Sequence, residues 1–142
     1  MRFEKWLKGT AALVLAASFA APAIAADGGF TSGDAKHGEK VFKLCKACHT
    51  VNEGGPNRVG PNLYGIFTRG IATHEGYKYS DGMKKFGGEH EEWTPDLMFV
   101  YLENPRKDVP GTFMSFPGLK KEKDRDDLIT YLIQEAGGLP QE

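Results

Sequence analysis

Cys45-Lys46-Ala47-Cys48-His49 is the stretch on which the reading of this 142-residue chain turns. Its two cysteines are the only two in the sequence, and a histidine stands directly behind the second. Side chains three apart on a helical turn lie on the same side, so both thiols can add to the two vinyl groups at one edge of a porphyrin. The histidine that follows then reaches the iron from beneath the ring. The spacing C-x-x-C-H is the signature of this covalent haem attachment. Two cysteines and four histidines scattered over the chain fall into it roughly once in 2,500 arrangements, so chance is a poor explanation. A structural disulfide at this spacing would close a tiny loop and gain little from chain entropy. A thioredoxin-like redox pair belongs in a βαβ setting, and no strand pattern flanks this one. Zinc needs further ligands, and His37, His74 and His90 have no paired spacing.

Outward from the motif the chain is helical and loop-rich. Asp34 can cap a helix running to about Ala47, with Val41, Phe42, Leu44, Cys45 and Cys48 on or near one face. Thr50 to Thr73 carries turn signals at Gly54-Gly55-Pro56-Asn57 and Gly60-Pro61-Asn62, with no period-two alternation. Thr94-Pro95-Asp96 predicts a second helix start, with Leu97, Met98, Tyr101 and Leu102 as the apolar stripe and Pro105 as its end. Pro105 to Gly118 reads as an irregular loop, and a last helix runs from about Lys121 to Ala136 before Gly137-Gly138. No repeat and no second domain appear, and the fold class is all-α. Loops beyond roughly 12–15 residues are uncommon in small domains unless they serve a function. Three modest helices and such loops need something large and apolar to wrap around.

Composition fits one domain: 40% of residues are hydrophobic, and 18 basic residues face 19 acidic ones. That balance argues against a nucleic-acid partner, which would require a basic surplus. Arg2, Lys5 and Lys8 precede an apolar run from Thr10 to Ala21, followed by Ala23-Ile24-Ala25. A positive start, a short apolar stretch and an A-x-A end predict a secretory signal peptide over residues 1–25, with the domain occupying 26–142. A retained anchor is the alternative. The apolar run to Ala25 holds 16 residues and a proline, short of the roughly 18–20 that span a bilayer. Removing the leader leaves 15 basic and 18 acidic residues, a net charge of −3. The expectation is an exported, periplasmic monomer with no membrane span once the leader is cleaved.

Whether the iron has an open side decides between carrier and enzyme. His49 needs its second ring nitrogen fixed by a hydrogen bond; the Pro61 carbonyl can accept it, although Gly60-Pro61 reads equally well as a turn alone. Of four methionines, Met1 lies in the leader, Met98 on an amphipathic helix and Met83 in a polar stretch. Met114 lies in Val109-Pro110-Gly111-Thr112-Phe113-Met114-Ser115-Phe116-Pro117, too irregular for core packing, with prolines limiting its drift. Met114 is therefore the expected sixth ligand.

Cys45 to Thr50, Gly60-Pro61-Asn62-Leu63-Tyr64-Gly65-Ile66-Phe67, Tyr101-Leu102-Glu103-Asn104-Pro105 and Pro110-Gly111-Thr112-Phe113-Met114 together resemble class I cytochrome c, of the mitochondrial type and its soluble periplasmic bacterial relatives. The resemblance runs in order over nearly all of the predicted mature chain. It implies the class I cytochrome c fold, with helices and long loops around one haem c attached through Cys45 and Cys48. It also implies one iron held by His49 and Met114. It places Pro61 as the acceptor from His49, Tyr101 near the Met114 sulfur, and Arg69, Tyr79 and Trp93 at the haem propionates, with Ser80 and Thr112 as lesser candidates. Gly38, Phe42, Leu128 and Tyr131 match the crossing of the first and last helices.

The chain departs from the mitochondrial pattern at Met83, where an asparagine is usual, in a longer stretch between Tyr79 and Trp93, and at Leu44 and Phe113, where lysine is frequent. Lys43, Lys46, Arg106, Lys107, Lys120 and Lys121 remain as a candidate basic docking ring. The implied function is not enzymatic. It is the carriage of single electrons from a cytochrome bc-type complex to a terminal oxidase or photosynthetic reaction centre. Methionine opposite histidine suits it by raising the reduction potential. A haem enzyme or gas sensor with a labile Met114 is the alternative, and a thiol oxidoreductase ranks third.

Overall fold

Asp34 starts the first helix as its side chain predicts, accepting hydrogen bonds from the backbone N–H groups of Lys36 and His37. The computed structural model describes residues 29–141; the expected leader over 1–25 and its cleavage point lie outside them. Five helices follow in order: α1 (Ala35–Phe42), α2 (Asp81–Glu89), α3 (Pro95–Glu103), α4 (Pro105–Asp108) and α5 (Glu122–Glu135). The described residues hold no strand, only an isolated antiparallel bridge between Gly70 and Glu92.

Three of these elements depart from the sequence reading. The first helix ends at Phe42 and not near Ala47. Beyond it the chain tightens into single turns, with Cys45 N–H on Phe42 O at 2.8 Å, Cys48 N–H on Cys45 O at 3.0 Å and His49 N–H on Cys45 O at 2.9 Å. The two thiols and the imidazole thus come from a wound turn and not from a regular helix. The second departure is α2, which in the sequence reads as a polar stretch. Ser80 caps it, its hydroxyl accepting from Met83 N–H, but Gly82, Gly87 and Gly88 hide its periodicity. A Cβ at Gly87 would stand 2.7 Å from the Ile71 carbonyl oxygen, and one at Gly82 would overlap the Pro110 carbonyl, so close backbone approach explains two of these glycines. Third, Pro105 both follows the end of α3 and opens the one-turn α4 inside the expected irregular loop.

The framework is the crossing of α1 over α5. At Gly38 a Cβ would overlap the Asp127 carbonyl oxygen and stand 2.7 Å from Tyr131 Cβ. Glycine therefore sets how near the helices approach. Phe42 and Tyr131 pack with ring centroids 5.3 Å apart, and Leu128 is buried beside them. Asp127 adds a polar lock. Its buried carboxylate accepts from the Asp34 N–H at 2.6 Å, from Lys123 Nζ at 2.6 Å and from His37 Nδ1 at 2.7 Å. Burial pushes its pKa up, but Lys123, the Asp34 N–H and His37 outweigh this and hold it below the usual carboxylate value.

A haem crevice between the helices

Inside this frame lies a cavity of about 270 Å³, bounded by the Cys45–His49 turn, the loops around Pro61 and Met114, and the inner faces of α2, α3 and α5. Native interiors hold few voids larger than a water molecule. An apolar space of this size at the centre of the domain is shaped for an occupant.

Cys45 and Cys48 both line the cavity and are not joined to each other in a disulfide. Burial, with a smaller contribution from Cys48, pushes the Cys45 thiol up to about 11. A thiol oxidoreductase needs the opposite shift, toward thiolate. His49 Nδ1 donates to the Pro61 carbonyl at 2.8 Å, which leaves Nε2 as the free ring nitrogen. Burial lowers the pKa of His49, with the Pro61 contact opposing it, so the ring is neutral and its Nε2 lone pair is available. Gly60 is part of the same fit: a Cβ there would stand 2.7 Å from His49 Nδ1 and 2.8 Å from Nε2.

Met114 also lines the cavity. The loop around it is braced from within, since Thr112 Oγ1 accepts the Met114 N–H at 3.1 Å and Tyr101 Oη donates toward Met114 Sδ at 3.9 Å. Behind the loop, Leu119 N–H bonds Leu102 O at 2.7 Å, tying its end to α3. The buried Tyr101 packs against Trp93 with ring centroids 4.8 Å apart and the rings tilted, and Trp93 packs at 5.4 Å on Phe86 of α2.

Arg69, Tyr79 and Trp93 all line the crevice. The Arg69 guanidinium donates to the Asn62 carbonyl at 2.8 Å and to the Tyr64 carbonyl. Burial raises the Tyr79 hydroxyl pKa, with Arg69 opposing it less strongly, so a neutral phenol stands beside the guanidinium in a partly desolvated corner. Ser80, Met83 and Thr112 complete that side. Sequence reasoning overlooked Asn62. Its buried amide donates to Thr50 Oγ1 at 2.6 Å and Asn52 O at 3.0 Å, and its Oδ1 accepts from Tyr64 N–H at 3.0 Å. These bonds fix the loop that presents the Pro61 carbonyl; in the sequence Asn62 reads only as a turn residue.

At the cavity mouth Leu44 and Phe113 are each 62% exposed and Val59 is 75% exposed. The six members of the candidate basic ring are exposed as well.

Residues 35–135 match the family described as "Cytochrome c". The chain belongs to the cytochrome c family. It is 53% identical over 105 residues to a cytochrome c of Stellaria longipes, covering 73% of this chain and 94% of the relative. With a cytochrome c of Cochliobolus lunatus it shares 52% over 109 residues, 76% of this chain and 98% of the relative. With a cytochrome c2 of Agrobacterium tumefaciens (strain II Chrys) it shares 44% over 110 residues, 78% and 99%. As a cytochrome c the chain carries haem c bound covalently through its two cysteines, Cys45 and Cys48, and serves as a mono-haem electron carrier. The wound turn, the apolar void and the missing Cβ at Gly60 fit that group.

Proposed function

We propose that this cytochrome c is a soluble periplasmic monomer that takes single electrons from a cytochrome bc-type complex and delivers them to a terminal oxidase or photosynthetic reaction centre, and that His49 and Met114 are the residues that would hold its iron. The observation that carries the reading is the pair of braced donors in one crevice. His49 has Nδ1 committed to Pro61 O, and the Met114 sulfur stands under the Tyr101 hydroxyl. The haem supplies a one-electron couple when bound. The protein's part is to hold both donors still, so that little reorganises on electron transfer, and to keep water out. The apolar lining disfavours the more highly charged oxidised state, and the Tyr101 O–H draws electron density from the sulfur; both raise the potential. Arg69, Tyr79 and Trp93 are assigned to the propionates, where Arg69 and Tyr79 offer a charged and a neutral donor side by side.

A peroxidase would need a free distal histidine and arginine. Among the residues lining the crevice the sole histidine is His49, and the sole arginine, Arg69, is already bonded to two carbonyls. Among the described residues no helix is long and apolar enough to cross a membrane; the periplasmic address rests on the predicted leader.

The test is the visible spectrum of the purified holoprotein, oxidised and reduced, with and without carbon monoxide. A low-spin ferric spectrum with the weak near-red methionine band, and a reduced spectrum unmoved by carbon monoxide, are expected. A carbon monoxide shift would mean an open iron and would overturn the assignment. N-terminal sequencing of the purified protein checks cleavage of the leader, and a start at Met1 refutes it.

A further inference from the structure

Arg125 is buried in α5, only 3% exposed, in a run that also holds Asp124, Asp126 and Asp127. None of these acids pairs with it: the four ion pairs among the described residues are made by His37, Lys84, Lys85 and Lys123. Its guanidinium lies instead over the buried ring of Phe99 in α3, 4.2 Å from the centroid, and its Nη1 donates to the Leu119 carbonyl at 2.7 Å. Its Nε is buried with no hydrogen-bond partner. A buried cation without a counter-ion is costly, and the aromatic face offsets only part of that cost. Among the described residues, the single hydrogen bond this side chain makes goes to Leu119.

Leu119 closes the segment that carries Met114, five residues before it. Both of its backbone polar groups are taken, the N–H by Leu102 O at 2.7 Å and the carbonyl by Arg125. Gly118, at φ +95°, brings the backbone so close to the end of α3 that a Cβ would overlap the Glu103 carbonyl oxygen. At the other end of the segment Val109 is fully buried, and its N–H bonds Pro105 O at 2.9 Å. Between these anchors, Phe113 to Gly118 make no backbone-to-backbone hydrogen bond among the described residues. Stretches so sparsely bonded open at the least cost, so the sulfur is placed by its two anchors. Arg125 holds one of them with a charge-assisted bond, about twice as strong as a neutral one. We propose that Arg125 is a positioning residue for Met114: by fastening Leu119 between α3 and α5, it sets how often the segment opens and withdraws the sulfur from the crevice. This rests on the reading that Met114 holds the iron.

The experiment follows two signs of opening in the ferric holoprotein. Imidazole added from solution occupies the crevice only in molecules whose sulfur has withdrawn, so its apparent affinity scales with the open fraction. Hydrogen exchange of the Leu119 amide reports release of its bond to Leu102. Arg125→Met keeps a long unbranched side chain without the donor. It should bind imidazole about tenfold tighter and exchange the Leu119 amide about tenfold faster, the low end of what a hydrogen bond from a charged group is worth. Arg125→Lys keeps the charge and one donor, and should change both by only about threefold. Asp34→Ala removes the cap of α1 and lowers the guanidinium midpoint, yet it should leave both readouts at their parent values. A role for Arg125 in overall stability alone would move them together. If Arg125→Met does not fold, the threefold change in Arg125→Lys decides. Parent-like readouts in the Arg125 variants, or an equal change in Asp34→Ala, overturn the proposal. A parent without the near-red methionine band overturns ligation by Met114 and this proposal with it, whereas a parent that shows the band alongside variants that match it overturns this proposal alone.

Discussion

Replacing Gly38 by alanine sets two opposed effects against each other at one atom. In a helix interior alanine is favoured over glycine by about 1 kcal/mol, so on an exposed surface the change would stabilise. Gly38 faces α5, however, where the added carbon would overlap the Asp127 carbonyl oxygen and stand 2.6 Å from its carbonyl carbon and 2.7 Å from Tyr131 Cβ. Ordinary contact begins near 3.4 Å, and the obstructing atoms are backbone and Cβ, which cannot swing aside. The helices must separate. Separation pulls on the Phe42–Tyr131 pair at 5.3 Å and on the bond from Asp34 N–H to the Asp127 carboxylate at 2.6 Å. Overpacking costs roughly 1–3 kcal/mol and more where nothing can yield, so the clash outweighs the propensity gain. Gly38→Ala should lose about 2 kcal/mol or more in guanidinium unfolding of the holoprotein. Gly88→Ala is the control: it lies in α2 with nothing within 4 Å of its Cβ, and should hold stability or gain up to about 1 kcal/mol. If Gly38→Ala matched or exceeded the parent, the close crossing of α1 and α5 would not limit stability and the reasoning would fail.

Three further outcomes follow from the same geometry. Tyr101→Phe removes the donor on the Met114 sulfur while keeping the ring packed on Trp93; the midpoint potential should fall by roughly 20–60 mV, the equivalent of a hydrogen bond of about 0.5–1.5 kcal/mol, and an unchanged potential would refute the contact. Gly60→Ala drives a carbon against His49, so the holoprotein should lose the low-spin spectrum or fail to mature with haem, whereas a normal spectrum would show that the imidazole has room. Asp127 has a depressed pKa in the fold. Its contribution is therefore present above the unfolded aspartate value of about 3.9 and lost as pH falls through the lower folded value. Asp127→Asn should be clearly destabilised at pH 7, with the gap to the parent closing below about pH 4, and a gap that stays constant with pH would assign the effect to packing alone.

What could be read in the sequence and what could not divides along a physical line. Signals confined to neighbouring residues were legible: Thr94-Pro95-Asp96 opens α3 with the Thr94 hydroxyl accepting Leu97 N–H at 3.1 Å, and Asp34 caps α1. The haem motif was legible too, because covalent attachment forces three residues into a fixed spacing. Met114 stood out as the candidate sixth ligand by elimination among four methionines, and it lines the crevice. Features that depend on what another segment brings were hidden. The glycines of α2 look like helix breakers until Ile71 and Pro110 are seen pressed against them, and Asn62 looks like a turn residue until Thr50 and Asn52 arrive to receive its amide. Asp127 is the sharpest case. In the sequence it is one of several charges in Glu122-Lys123-Asp124-Arg125-Asp126-Asp127, indistinguishable by type from exposed neighbours. Only the approach of α1, permitted by the absent side chain of Gly38, buries its carboxylate and supplies the Asp34 N–H and His37 as partners. The polar lock and the helix crossing are thus one feature, and a glycine 89 residues from its aspartate has no local signal that could announce it.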